Sequence, residues 1–267
     1  MDLDQLKDQA RSGWGKGEYW GLSEMLRPAA EALADACAVS AGQEVLDVAA
    51  GDGNFAVACA SEGASVVASD IAPGMVEQGR ARTESEGYAI EWIEADAEAL
   101  PFEDGRFDCV GSVFGAMLAP RPRVAAQEMF RVTRPGNTVG MTAWMPRGPT
   151  YDMFRLTREL APPAREDLPQ LEEWADEDTV RERFEGLANS IDLERATLPW
   201  WGDSPEGFVA GMERHAPMQA AAKEQMPPDD YARMREALVG MAREWSGGDG
   251  PFTVDAHYVL IVARRRG

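Results

Sequence analysis

Three carboxylates, Asp47, Asp70 and Asp96, recur at intervals of roughly a strand plus a helix, and each closes a short apolar run. In the first run, Val45-Leu46-Asp47-Val48-Ala49-Ala50-Gly51-Asp52-Gly53-Asn54-Phe55-Ala56, an acid is followed by small residues, a glycine turn and then helical spacing. Glycine at 51 and 53 permits positive φ and lets a ligand approach the backbone, while Asp47 and Asp52 suit a cationic or hydroxyl-bearing group. The chemistry this implies is a cradle for a nucleotide cofactor. Asp70, at the end of Ser65-Val66-Val67-Ala68-Ser69, can accept both hydroxyls of a ribose, or cap the helix that begins near Pro73. Asp96-Ala97 suits an adenine, the carboxylate accepting from the exocyclic amine and the Ala97 amide donating to the ring.

Gly51-x-Gly53-x-x-Ala56 alone also fits a dinucleotide fingerprint, which would make the chain an NAD(P)-dependent dehydrogenase. The acids oppose that reading, because a pyrophosphate would meet Asp47 and Asp52 as like charges, whereas a ligand carrying an ammonium and a sulfonium would be attracted.

Positioning these groups requires strands that end at one edge. The alternation of strand, helix and strand through residues 44–114 predicts an α/β fold with a parallel sheet and right-handed crossovers, which places all three acids along the carboxyl edge where open sheets bind ligands. Strands are expected at about 45–48, 65–70, 89–94, 105–114 and 137–145, with helices at about 54–62, 73–86 and 122–132. Glu98 is expected at the surface. Ahead of this core, residues 2–12 carry helical spacing, Gly13 to Gly21 is rich in glycine and aromatics, and a second helix is expected to start at Ser23 as its N-cap and to restart or kink at Pro28. Trp14, Tyr19 and Trp20 suit a flap over a bound ligand, or pins holding the arm to the core.

Taken together, the motifs resemble those of class I S-adenosylmethionine-dependent methyltransferases, in particular the small-molecule group related to the ubiquinone and menaquinone methyltransferases. The resemblance spans about residues 42–145 and includes Ala95 to Phe102, Gly105 to Val110 and Glu128-Met129-Phe130-Arg131-Val132-Thr133-Arg134-Pro135-Gly136-Asn137. Ala50 stands where many members have glycine, and Asn137 where a second glycine is common. The resemblance implies a Rossmann-like three-layer sandwich, with a seven-stranded, mostly parallel sheet carrying one antiparallel strand, plus a helical lid. It divides the chain into an N-terminal helical arm (1–41), a cofactor-binding core (42–145), and lid insertions with the last two strands (146–267).

S-adenosylmethionine, leaving as S-adenosylhomocysteine, is the cofactor so implied. The methionine end falls to Asp47, Ala49, Ala50, Gly51, Gly53 and Asn54, the adenosine to Asp70, Ile71, Met75, Asp96 and Ala97, and Ser112 follows on the fourth strand. Phe114 and Met117 are pocket candidates by the same resemblance, with core packing as their ordinary role, and Trp14, Tyr19 and Trp20 complete the substrate pocket. A sulfonium-bound methyl needs alignment more than a base; His215 and Tyr19 are the candidates should a base be used, and His257 reads as structural.

The second half is expected to hold helices at about 150–160, 178–186, 205–224 and 228–245, strands at 190–200 and 252–263, and hinges at Pro162-Pro163 and Pro227-Pro228. With 26 Lys plus Arg against 46 Asp plus Glu, a formal charge of −20 argues against nucleic acid and anionic membranes as partners. The acids crowded between Glu166 and Glu185 read as a solvated helical face. Cys37, Cys59 and Cys109 lie in apolar surroundings without metal-ligand spacing and are expected in the core, and no metal site is expected. The absence of a signal-like or long apolar stretch points to the cytoplasm. The reading is thus a methyltransferase acting on a small, partly apolar secondary metabolite or quinone-like ring by O-, N- or C-methylation, the alternative being a non-catalytic cofactor-binding protein on the same fold. An N-terminal arm of this kind can also exchange between the subunits of a homodimer.

Overall fold

The computed structural model describes residues 3–15, 19–160 and 170–267. Pro162-Pro163, Glu166 and Asp167 lie outside the described residues.

Seven strands form one sheet: β1 (Glu44–Val48), β2 (Ser65–Asp70), β3 (Glu91–Glu94), β4 (Phe107–Val113), β5 (Thr133–Trp144), β6 (Ala188–Gly202) and β7 (Phe252–Arg265). Their order is β3-β2-β1-β4-β5-β7-β6, with β7 alone reversed, antiparallel to both β5 and β6. The interior strands are near-continuous apolar runs because helices cover both faces. The chain steps outward from β1 to β2 to β3 and then returns to β4 on the other side of β1. That reversal opens a crevice at the carboxyl ends of β1 and β4, the place where such sheets bind ligands. Parallel register aligns Asp47 with Ala68 and Asp70 with Glu94, so the acid-bearing ends share one edge.

Ten α-helices are described: α1 (Leu3–Gly13), α2 (Trp20–Ala36), α3 (Asn54–Ser61), α4 (Pro73–Ser85), α5 (Pro122–Val132), α6 (Gly148–Leu160), α7 (Glu177–Arg183), α8 (Pro205–His215), α9 (Pro217–Gln225) and α10 (Pro228–Ser246). None of them is long and apolar enough to cross a membrane. The core joins the sheet to α2, α3 and α5, and extends through Trp144, Trp200 and Phe208 under α8 and α10. The three cysteines are free and buried within it.

Two expectations about the arm are corrected. Helix α2 starts at Trp20, not at Ser23, and runs through Pro28 without a break. Ser23 is a buried residue inside the helix whose hydroxyl donates to Asp52 Oδ1 at 2.6 Å. The polar side chain that resembled a cap serves a tertiary contact instead.

Candidate functional site

The glycine loop holds its shape through backbone that few residues adopt. Gly51 and Gly53 have φ of +58° and +94°, as the turn requires, and Gly53 stands at the N-cap of α3. Ala49 shares this left-handed region at φ +52°, whereas Ala50 does not. Of the two alanines it is therefore Ala49 that occupies a conformation suited to glycine. Phe114, at the end of β4, is a second non-glycine residue with positive φ, at +56°. Backbone strain of this kind collects where a site must be shaped.

Asp47 is buried behind the loop. Its Oδ2 accepts the Ala56 amide at 2.9 Å, and its Oδ1 has no hydrogen-bond partner. Burial, with Asp70 and Asp52 adding like charge, pushes its carboxyl well above the usual range despite the Ala56 bond. Asp70, 6% exposed, accepts the Gly51 amide through Oδ2 and the Ala72 amide through Oδ1, both at 2.9 Å. Burial lifts its pKa to about 6, against the pull of the amides of Ala72, Gly51 and Ile71. The carboxylate thus orders both the glycine loop and the start of α4 while facing a cavity.

That cavity, of about 390 Å³, runs along the carboxyl edge of the sheet. Its floor is Ala49, Ala50, Gly51, Asp70, Ile71, Met75, Asp96 and Ala97. Trp14, Tyr19 and Phe114 also line it. Asp47, Gly53, Asn54, Ser112, Trp20, Met117 and His215 are not among its lining residues. Asn54 and Asp52 instead tie the loop to α2 and α4: Asn54 Nδ2 donates to the Ser23 carbonyl at 2.8 Å, and Arg82 Nη1 reaches Asn54 Oδ1 at 2.9 Å and Asp52 at 3.1 Å. Ser112 Oγ donates to the Val48 carbonyl at 2.6 Å and accepts the Ala116 amide at 2.8 Å, locking β4 to β1. Met117 is fully buried in the core. Trp20 is 61% exposed, its ring edge-on to His215 at 5.1 Å, because the early start of α2 turns it away from Tyr19.

The arm closes over the floor. Gly15 packs so tightly on Gly74 that a Cβ at residue 15 would lie 2.6 Å from the Gly74 Cα, and Gln78 Nε2 donates to the Gly15 carbonyl at 3.0 Å. Lys7 Nζ donates to Asp96 Oδ2 at 2.6 Å and also pairs with Glu98. Burial works against the Lys7 charge, but the two acids outweigh it and raise its pKa. Glu98, expected at the surface, is buried, its charge met by Lys7, by the Arg121 amide at 2.6 Å and by the Arg121 guanidinium at 2.7 Å. The Tyr19 ring lies over Gly51. Burial first, then Asp52, Asp70 and Asp47, push its phenol above the ordinary value, so it stays protonated and can donate a hydrogen bond.

The opposite wall was not foreseen from the sequence. Leu118, Trp144, Thr150, Met153, Trp200 and Met212 line it, brought together from β5, β6, α6, α8 and the turn after β4. Phe114 and Trp144 stack face to face, with centroids 3.8 Å apart and planes at 6°, and Trp200 meets Trp144 edge-on at 5.9 Å. A tryptophan at the carboxyl end of β5 was the one available signal, since that end faces the same crevice.

The residues present fit a nucleoside cofactor with a cationic end. Hydroxyl and amine acceptors stand on the floor, an orphaned carboxylate oxygen lies behind the loop, and among the described residues lining the cavity Lys7 is the one lysine or arginine and is already paired, which leaves no free cation there to compensate a phosphate.

Comparison with known proteins agrees. Residues 45–136 match a family model described as a methyltransferase domain. An uncharacterised protein of Mycobacterium tuberculosis, Rv1405c, is 38% identical over 183 residues, 66% of this chain and 67% of that protein. The demethylmenaquinone methyltransferase of Clavibacter sepedonicus is 42% identical over 104 residues, 39% of this chain and 42% of that enzyme. Among solved structures, the YcgJ protein of Bacillus subtilis superposes with a TM-score of 0.62 at 20% identity, covering 92% of this chain and 99% of its own. The chain belongs to the methyltransferase-domain family, as a class I S-adenosylmethionine-dependent methyltransferase.

Proposed function

We propose that the chain methylates a small, largely apolar metabolite, a secondary metabolite or quinone-like ring, held against the aromatic wall. One observation carries this reading: among the described residues that line the cavity, the acidic ones are all at the floor and, from Val113 onward, none on the facing wall has an ionisable side chain. Asp70 would hold the ribose, Asp96 and Ala97 the adenine, and the loop from Ala49 to Gly51, backed by Asp47, the amino-acid end. S-adenosylmethionine supplies a methyl group on a sulfonium, an electrophile that needs no further activation.

What remains for the protein is to align the acceptor and exclude water. The arm roofs the floor, and Phe114, fixed by its amide donating to Thr142 Oγ1 at 3.0 Å, sets the plane against which a ring can lie. No base is assigned. His215 meets Trp20 edge-on and is not among the residues lining the cavity, and burial pushes the Tyr19 phenol up, which disfavours its ionised form. The name of the Clavibacter relative supports a ring-bearing acceptor.

Incubation with methyl-labelled S-adenosylmethionine and cell extract, followed by fractionation, tests the proposal. Label should enter the neutral, organic-soluble small molecules. Label confined to macromolecules or to charged metabolites would overturn it.

A further inference from the structure

The amino-acid end of S-adenosylmethionine carries a carboxylate as well as an ammonium, and the loop that would receive it is acidic. Asp47, Asp52 and Asp70 stand within charge range of one another around the turn, so they favour the ammonium and repel the carboxylate. Among the described residues no cation is free to offset them. Lys7 pairs with Asp96 and Glu98 beyond the end of β3, which lies two strands, or roughly 10 Å, from β1. Arg82 is not among the residues lining the cavity and is held by Asp52, Asn54 and Glu86. Backbone donors of the turn are committed as well: the Ala50 amide donates to the Ser69 carbonyl, the Gly51 amide to Asp70 and the Gly53 amide to the Ala50 carbonyl.

The side-chain donor that stands over this turn with its hydrogen free is the Tyr19 hydroxyl. Tyr19 lines the cavity and its ring packs on Gly51, where a Cβ would lie 3.2 Å from Cε1 and 3.5 Å from the hydroxyl oxygen. The hydroxyl makes no hydrogen bond with any described residue, and it is not sealed from solvent as the unpaired atoms of Trp200 and Thr150 are. Burial first, then Asp52, Asp70 and Asp47, disfavour ionisation of the phenol, so it keeps the hydrogen that a carboxylate needs. Bonds of this kind, from a neutral O–H to a charged acceptor, are short and strong.

We propose that Tyr19 reads the amino-acid carboxylate of the cofactor, its hydroxyl donating to that group across the glycine turn while the acids beneath attract the ammonium. Because Tyr19 belongs to the arm, the carboxylate becomes the part of the cofactor that ties the arm to the loop. This rests on the assignment of the loop from Ala49 to Gly51 to the amino-acid end and deepens it, naming the residue that meets the charge which the loop itself repels.

Three ligands separate the contributions in calorimetric titrations of the full chain: S-adenosylhomocysteine, its decarboxylated analogue, which keeps the ammonium, and 5′-methylthioadenosine, which lacks the amino-acid end. Removing the carboxylate also leaves a net positive ligand that the acids favour, so the decisive quantity is how each affinity changes on substitution. Tyr19→Phe keeps the ring on Gly51 and loses the hydroxyl. It should weaken S-adenosylhomocysteine about tenfold, the size expected of one hydrogen bond to a charged group, and leave the other two ligands within about twofold of wild type. Tyr19→Leu should show the same selective loss, and it decides the matter should Tyr19→Phe not fold. A ring that merely pins the arm would leave the three ligands equally affected. S-adenosylhomocysteine affinity unchanged in Tyr19→Phe, or a loss shared by all three ligands, would overturn the proposal. Wild type binding S-adenosylhomocysteine no more tightly than 5′-methylthioadenosine would sink the assignment of the loop to the amino-acid end, and the role of Tyr19 with it.

Discussion

Asp70 gives the sharpest prediction, because folding and cofactor binding want opposite things from it. Its pKa is lifted to about 6 from an ordinary 3.8, chiefly by burial. Below about pH 4 the carboxyl is neutral in both the folded and the unfolded chain. Between about pH 4 and 6 the folded chain holds the proton that the unfolded chain has released, so the stability of the free protein falls as pH rises through this window. The two-unit shift corresponds to about 3 kcal/mol. Cofactor affinity should run the other way. A ribose donates its hydroxyls, and the ionised carboxylate accepts them best, each such charge-assisted bond contributing about 1.5–3 kcal/mol. At pH 5 roughly one molecule in ten is ionised, so S-adenosylhomocysteine should bind about tenfold more weakly than at pH 7.5. Asp70→Asn should lower affinity at pH 7.5 by more than about thirtyfold and flatten the pH profile. At neutral pH the gain in urea stability from removing a buried charge is offset by about 1–3 kcal/mol, because the asparagine Nδ2 only donates and either the Gly51 or the Ala72 amide loses its acceptor. Calorimetric titration from pH 5 to 8 reads all of this except stability. An affinity that does not change with pH in the wild type, or a slope that persists in Asp70→Asn, would refute the reasoning.

Further outcomes follow from the loop and the arm. Ala49→Gly should be neutral or stabilising by up to about 1 kcal/mol in urea melts, since φ is +52° there, whereas Ala50→Gly should destabilise by a similar amount. Gly115→Ala would place a Cβ 2.3 Å from the Ala49 carbonyl oxygen, so it should cost about 1–3 kcal/mol and abolish cofactor binding by displacing the loop. Lys7→Met should make the chain before Trp20 more sensitive to limited proteolysis in the absence of ligand, with a global melting curve little changed; high salt should move the wild type in the same direction.

The core was legible because its signals are local. An apolar run ending in an acid, with glycine after it, marks both a strand end and a ligand group, and the sequence spacing of Asp47, Asp70 and Asp96 already implies the alternation that sets β1, β2 and β3 side by side. Lys7 escaped notice because it meets Asp96 across 89 residues, and nothing near it in the chain announces that contact. Ser23 and Asn54 have residue types that suit caps or ligands, yet their side chains were committed to Asp52 and Arg82 by the packing of α2 against α3 and α4. The aromatic wall stayed hidden for a related reason. Trp144 and Trp200 sit on strands joined only through β7, and the antiparallel register that brings β5 and β6 to either side of β7 leaves no periodic trace linking them. Trp14 and Trp20 look equivalent in a glycine-rich stretch. The first turn of α2 separates them, one to the cavity and one to solvent.

A crystal structure of the protein with S-adenosylhomocysteine and 2-acetylnaphthalene would test most directly whether one cavity holds donor and acceptor at its two ends. The ribose is expected on Asp70, the adenine beside Asp96 and Ala97, and the sulfur directed at a ring lying on the Phe114–Trp144 stack. Nucleoside density away from Asp70, or the ring bound outside the wall formed by Trp144 and Trp200, would contradict it.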